Sequence, residues 1–395
     1  MVPCFLRALA AGLLFIAPAS LPAIAAEEPS VAANAAAGRE EVDAKRARRW
    51  YSAGAEAGGL VVAGITVEAP WRADAEIAKF ARDATRGQFT TPEKVKAIKE
   101  AILGLRRLNL RYEATGSVSA VDAFRTRAAN CLGFTNLFIA MARTVGVEAF
   151  YVEVADVDEF ARQDEFVVNN RHICAGYWSS SGFGVIDFVE RPPFTPRYRP
   201  VSDLAGLAHY YNNRGCDFLR AKDFSGAERN LQVALAVQPK FAWARNNLGV
   251  ALGRMERTDE AQAQYRRAIS DDPRYGPAYA NLASLLASLG QGDEAASVYE
   301  SLSRVKSRDP FSQYQAGLFA LGRGDFETAL KRLHRSASLD PSLPEVQIGI
   351  AEASLGLGDR HGARRAYERA LALDPDNMRA QIGLDRLAAT APASH

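Results

Sequence analysis

The chain has 395 residues, too many for one ordinary hydrophobic core, so two domains are expected. With 48% hydrophobic and 24% charged residues it has the composition of a folded, soluble protein. Its formal net charge of +2 is too small to argue for a nucleic-acid partner.

The N-terminus reads as a targeting leader over residues 1–25. Arg7 precedes an apolar stretch, Ala8 to Ala17, and Ala23-Ile24-Ala25 offers the small-x-small site of a signal peptidase. The stretch is too short to span a bilayer, so export to a periplasm or beyond is expected, with no membrane span once the leader is removed. Cys4 would leave with the leader. The remaining Cys131, Cys174 and Cys216 are an odd number, which in an oxidising compartment implies a reactive thiol or a bond between chains.

Residues 26–70 are rich in Ala and Gly and read as a linker, with a helix near Val42–Tyr51. The basic run Lys45-Arg46-Ala47-Arg48-Arg49 follows Glu40, Glu41 and Asp43 and reads as a solvated helix face. A first domain is expected over 71–200. Thr91-Pro92 predicts a helix start, with Val95, Ile98, Ile102, Leu105 and Leu108 as its buried stripe. Cys131 opens the next helix, an apolar run to Arg143. A thiol at a helix start sits among unpaired N–H groups that favour its thiolate. Val147–Val154, Val167–Trp178 and Gly184–Val189 are rich in strand formers. Pro192, Pro193, Pro196 and Pro200 then predict a stiff connector.

A second domain is expected over 201–395. Gly215, Gly249, Ala283, Gly317 and Ala351 recur every 34 residues, as do Ala227, Ala261, Ala295, Ala329 and Ala363. Pro239, Pro273, Pro341 and Pro375 keep the same period, with Ser307 in the gap. This pattern resembles tetratricopeptide repeats, each a pair of antiparallel helices. Small residues let the two helices cross closely, and proline ends the second helix. Five units fit between 208 and 377, and the run from Met378 to Leu387 reads as a capping helix. Leu302 and Ser336 stand where alanine is usual and are expected to pack less regularly.

The residues Asn130-Cys131-Leu132-Gly133-Phe134, then Thr144-Val145-Gly146-Val147, then Asn170-Arg171-His172-Ile173 and Gly184-Val185-Ile186-Asp187 follow one order: helix-Cys, strand-His, strand-Asp. That order resembles the transglutaminase-like superfamily, whose core has a papain-like arrangement. The resemblance covers about 85–190 and implies Cys131 as nucleophile, His172 as general base and acid, and Asp187 as the group that orients the imidazole. A hairpin between the last two strands brings Asp187 beside His172. Ala129 stands where the family often carries glycine, and Ile173-Cys174 where it often carries an aromatic or small-plus-Trp pair. These bear on the approach to the nucleophile and the wall of the acyl pocket.

The expected fold is therefore an α+β transglutaminase-like domain plus an all-α tetratricopeptide-repeat superhelix. The expected activity is acyl transfer or amide hydrolysis on a peptide or protein through a Cys131 thioester. Two alternatives are an envelope scaffold with an inactive first domain, and a cysteine protease or peptidoglycan amidase. Asn213, Asn247 and Asn281 recur every 34 residues on first helices, similar to the asparagine ladder of the O-linked N-acetylglucosamine transferase superhelix. They are candidate contacts to a peptide backbone in the repeat groove. Five histidines without paired-ligand spacing argue against a metal, and no cofactor is called for. Oligomeric state is left open.

Overall fold

The structure is a computed structural model that describes residues 60–62, 65–113, 116–163, 166–180, 182–188, 198–305 and 309–389, with side chains described from 67 onward except 155–171 and 303. The expected leader, the helix near 42–51, and Pro192, Pro193 and Pro196 lie outside the described residues. The chain divides into two compact units. One comprises Met1–Asp158, Arg171–Asp217 and Val233–Pro239, the other Glu159–Asn170, Phe218–Gln232 and Lys240–His395.

In the first unit, β1 (Leu60–Val62) and β2 (Ile65–Val67) pair antiparallel inside a stretch expected to be linker. Each arm has three residues, too few for alternation to stand out in sequence. Helix α1 (Ala75–Ala84) starts where the Asp74 carboxylate accepts from the Glu76 and Ile77 amides. Helix α2 (Thr91–Leu103) has a capping box between Thr90 and Glu93, so the cap lies one residue before Thr91. Val95, Ile98 and Ile102 are buried as expected. Leu105 is 86% exposed, because the helix stops at Leu103 and its period no longer applies.

Strands β3 (Arg111–Tyr112) and β4 (Ala128–Ala129) pair in parallel around α3 (Ala120–Thr126). Helix α4 (Cys131–Thr144) follows, buried continuously from Leu132 to Ala142. A helix buried all round belongs in the centre of its unit. Strands β5 (Ala149–Gln163), β6 (Phe166–Ser179), β7 (Gly182–Ile186) and β8 (Tyr198–Val201) form one sheet in the order β7-β6-β5-β8. Residues expected in the proline connector thus form an edge strand. Pro200 stands opposite Val152 there, and an edge tolerates its missing N–H.

Helix α5 (Asp203–Arg220), expected to open the repeats, lies in the first unit as far as Asp217. Arg143 grips Asp203 through two hydrogen bonds of 2.9 and 2.7 Å. A Cβ on Gly206 would sit 2.4 Å from the Tyr151 ring, so glycine permits the close approach. Tyr211 accepts from the Glu68 amide at 3.0 Å.

The second unit holds part of α6 (Phe224–Val237) and the helices α7 (Ala242–Arg254), α8 (Thr258–Asp271), α9 (Gly276–Ser288), α10 (Gly292–Arg304), α11 (Pro310–Gly322), α12 (Phe326–Leu339), α13 (Pro344–Gly356), α14 (Arg360–Leu373) and α15 (Met378–Ala389). Helices α6, α8, α12 and α14 end two residues before Pro239, Pro273, Pro341 and Pro375. The small-residue ladder has the expected cause. A Cβ on Gly249 would meet the Tyr265 ring at 2.5 Å, and one on Gly317 would meet Leu333 at 2.7 Å. Leu302 and Ser336 depart from the expected looser packing: both are fully buried, and the Ser336 hydroxyl donates to Pro310 O at 2.8 Å. Among the described residues no helix is long and apolar enough to cross a membrane.

Candidate active site

The start of α4 is held by side chains that the sequence pattern does not single out. Asn130 caps the helix, its Oδ1 accepting from the Gly133 amide at 3.0 Å. Its Nδ2 donates to Ser117 Oγ at 3.0 Å. Gly133 is required here, since a Cβ would lie 2.8 Å from both Ala129 Cβ and Val118 Cγ2. One turn on, the buried Asn136 donates to Val118 O at 3.0 Å and accepts from the Tyr151 hydroxyl at 2.6 Å. Burial, followed by the nearby Asp203 charge, holds the Tyr151 phenol well above its usual pKa, so it stays a donor. The available signal was a pair of polar residues, Thr135 and Asn136, inside an otherwise apolar run.

Cys131 is the first residue of α4 and is partly exposed. Among the described residues no disulfide joins Cys131, Cys174 and Cys216 to one another. Cys174 packs in an apolar cluster with Val152 and Val154, and Cys216 is buried.

His172 and Asp187 are brought together as expected. His172 Nε2 lies 3.0 Å from Asp187 Oδ1 and 3.1 Å from Oδ2. The registry of β6 with β7 sets this up. Ala175 pairs with Ile186, so Asp187 emerges just past the end of β7 on the strand next to His172. A carboxylate only accepts, so Nε2 carries the hydrogen, and Nδ1 of the neutral ring is left as an acceptor. Nδ1 is buried and makes no hydrogen bond, and the His172 side chain is 0% exposed.

Two contacts carry α4 to the neighbours of this pair. Thr135 Oγ1 lies 2.9 Å from Cys131 O and 3.4 Å from Ile173 O, the residue after His172. Phe134 stacks on Phe188, the residue after Asp187, at 4.9 Å between centroids. The helix begun by Cys131 is therefore anchored beside both members of the pair. Trp178 does not cover them. It packs with Phe150 and Phe183 at 5.7 and 5.5 Å and is 46% exposed.

The asparagines at 34-residue spacing are not offered to a groove in this structure. Asn213, Asn247 and Asn281 are all buried. Asn281 donates to Asn246 Oδ1 at 2.9 Å, Asn246 to Asn247 Oδ1 at 3.3 Å, and Asn212 to Asn213 Oδ1 at 3.3 Å. A buried amide needs such partners, and neighbouring asparagines supply them. Among the described residues no group of three or more His, Cys, Asp or Glu side chains is placed to hold a metal.

Residues 78–188 match the model of the transglutaminase-like superfamily, and residues 254–317 and 320–384 match that of the tetratricopeptide repeat. Similar solved structures include YrrB, described as a TPR protein with an unusual peptide-binding site. It is 19% identical over 45% of this chain and 92% of its own, with a TM-score of 0.35. PilF of Pseudomonas aeruginosa is 22% identical over 47% of this chain and 85% of its own, at 0.42. A thermophilic TPR protein of Thermus thermophilus is 21% identical over 46% of this chain and 97% of its own, at 0.37. No curated protein sequence matches the chain.

Proposed function

We propose that this chain, a transglutaminase-like domain followed by tetratricopeptide repeats, is an exported thiol enzyme that performs acyl transfer or amide hydrolysis on a peptide or protein. The observation that carries this reading is the His172–Asp187 pair, with Nε2 held by the carboxylate and Nδ1 left unbonded. Nδ1 is then the atom that takes the Cys131 proton and later returns it to the leaving amine. The thiolate attacks the carbonyl carbon and forms a thioester, and water or an amine displaces it. The amide of Cys131 at the helix start supports the oxyanion. Asp187 fixes the ring and stabilises the imidazolium. The repeats recruit a protein substrate or partner.

Complete burial of His172, with Nδ1 accepting no hydrogen bond from the thiol, favours a second reading: a scaffold whose first domain binds without catalysis. One experiment separates the two. The mature protein is treated with iodoacetamide near neutral pH and the modified cysteine is mapped. Rapid labelling of Cys131, ahead of Cys174 and Cys216, supports the enzyme. A Cys131 that stays unlabelled until the protein unfolds supports the scaffold.

A further inference from the structure

Helix α4 is tied to α5 at both ends, and the ties are polar. At its C-terminal end Arg143 pairs with Asp203, the first residue of α5, in two hydrogen bonds between largely buried side chains. At its N-terminal end, Asn130 Nδ2 donates to Ser117 Oγ at 3.0 Å, and the Ser117 amide donates to Asp217 Oδ2 near the end of α5 at 2.7 Å. The spans match. At 1.5 Å per residue, Asn130 to Arg143 covers about 20 Å and Asp203 to Asp217 about 21 Å. The two helices therefore run antiparallel between their ties, with α5 as a splint along the helix that Cys131 begins.

The N-terminal tie bears on chemistry because of where it ends. Asn130 is the residue before Cys131, and its amide has one orientation that satisfies both bonds: Oδ1 toward the Gly133 amide and Nδ2 toward Ser117. That orientation fixes the cap and with it the aim of the first-turn N–H groups that stabilise a thiolate.

Resting on the reading of Cys131 as nucleophile, we infer that Asp217 and Ser117 are positioning residues for it. Helix α5 thus completes the thiol site within the first unit: Asp217 holds the Ser117 backbone, Ser117 holds Asn130, and Asn130 holds the helix start. Neither Asp217 nor Ser117 touches substrate. Their effect reaches the sulfur only through the cap.

The test is the pH dependence of Cys131 alkylation by iodoacetamide in the full chain, because position and charge predict opposite signs. By field alone, removing the Asp217 carboxylate would favour the thiolate and lower the midpoint. Loss of the brace raises it. Asp217→Ala is expected to move the midpoint up by about 0.7 unit, the effect of one lost hydrogen bond, and so to slow labelling about fivefold at pH values below the midpoint. Asp217→Asn keeps an oxygen that can accept the Ser117 amide and should stay near wild type. Ser117→Ala deletes only the hydroxyl, should reproduce the upward shift, and should add nothing to Asp217→Ala. It also gives the answer where Asp217→Ala fails to fold. A midpoint that is unchanged or lowered in the folded variants overturns the inference while leaving Cys131 as nucleophile. Wild-type Cys131 that resists labelling until unfolding removes the reading of the site and the inference together.

Discussion

The ring of Phe134 stacks on that of Phe188 with 4.9 Å between centroids and 29° between planes. One residue lies three positions after Cys131 and the other directly follows Asp187. An aromatic pair of this kind contributes about 0.5–1.5 kcal/mol beyond its buried area. Here it also fixes the carboxylate against the helix that carries the thiol.

Variants of the pair should rank in a fixed order. His172→Ala removes the base and should slow Cys131 alkylation at pH 7 by up to about thirtyfold, the ratio between a full thiolate and a thiol with a pKa of ~8.5. Asp187→Ala leaves the ring in place and should slow it less. Equal rates in wild type and His172→Ala, by mass-resolved labelling, would remove His172 from the site.

Gly249→Ala should destabilise the repeats although alanine is the better helix former. The added Cβ would meet the Tyr265 ring, which is buried and has nowhere to retreat, at 2.5 Å. Overpacking costs about 1–3 kcal/mol against a propensity gain of about 1. Gly292→Ala is the control, since nothing lies within 4 Å of its Cβ position. Thermal melts followed by circular dichroism should show a fall for the first and none for the second.

Burial pushes the Tyr299 phenol up to about 12, and the Ser284 hydroxyl at 3.1 Å only partly offsets this. The folded pKa is raised above the unfolded value of ~10, so the stabilisation is complete below pH ~10 and is lost as pH rises through about 12. Tyr299→Phe cannot ionise. Between pH ~10 and ~12 it should gain on wild type by about 3 kcal/mol in urea unfolding. A constant difference between the two across that window would contradict the burial argument.

The proposed export makes a prediction about mass. The chain recovered from the expressing cell's envelope should begin near Ala26 or Glu27, after the Ala23-Ile24-Ala25 site. An intact mass that retains Met1 would reject the leader.

Asparagine side chains mark where reading the sequence succeeds and where it stops. The 34-residue recurrence of Asn247 and Asn281 is plain in the chain, and it correctly places both on first helices. Periodicity gives the face of a helix but not what lies on that face. Both side chains are buried in contact with other asparagines. The role of Asn130, by contrast, leaves no mark in the sequence, because it depends on Ser117, thirteen residues earlier.

The sequence by itself determined both domain types, the helix register of the repeats and the identity of the His172–Asp187 pair. Each of these rests on local signals: a fixed period, proline after a helix end, glycine where helices cross, and a short hairpin that limits which residues can meet. Tertiary structure alone decided that α5 belongs with the first unit as far as Asp217, that residues 198–201 form an edge strand, and that Asp217 reaches the cap of α4. Those outcomes depend on contacts such as Arg143–Asp203, 60 residues apart, and Ser117–Asp217, 100 residues apart. Side chains that distant leave no periodic trace in the chain, since their partners are set by packing and not by spacing.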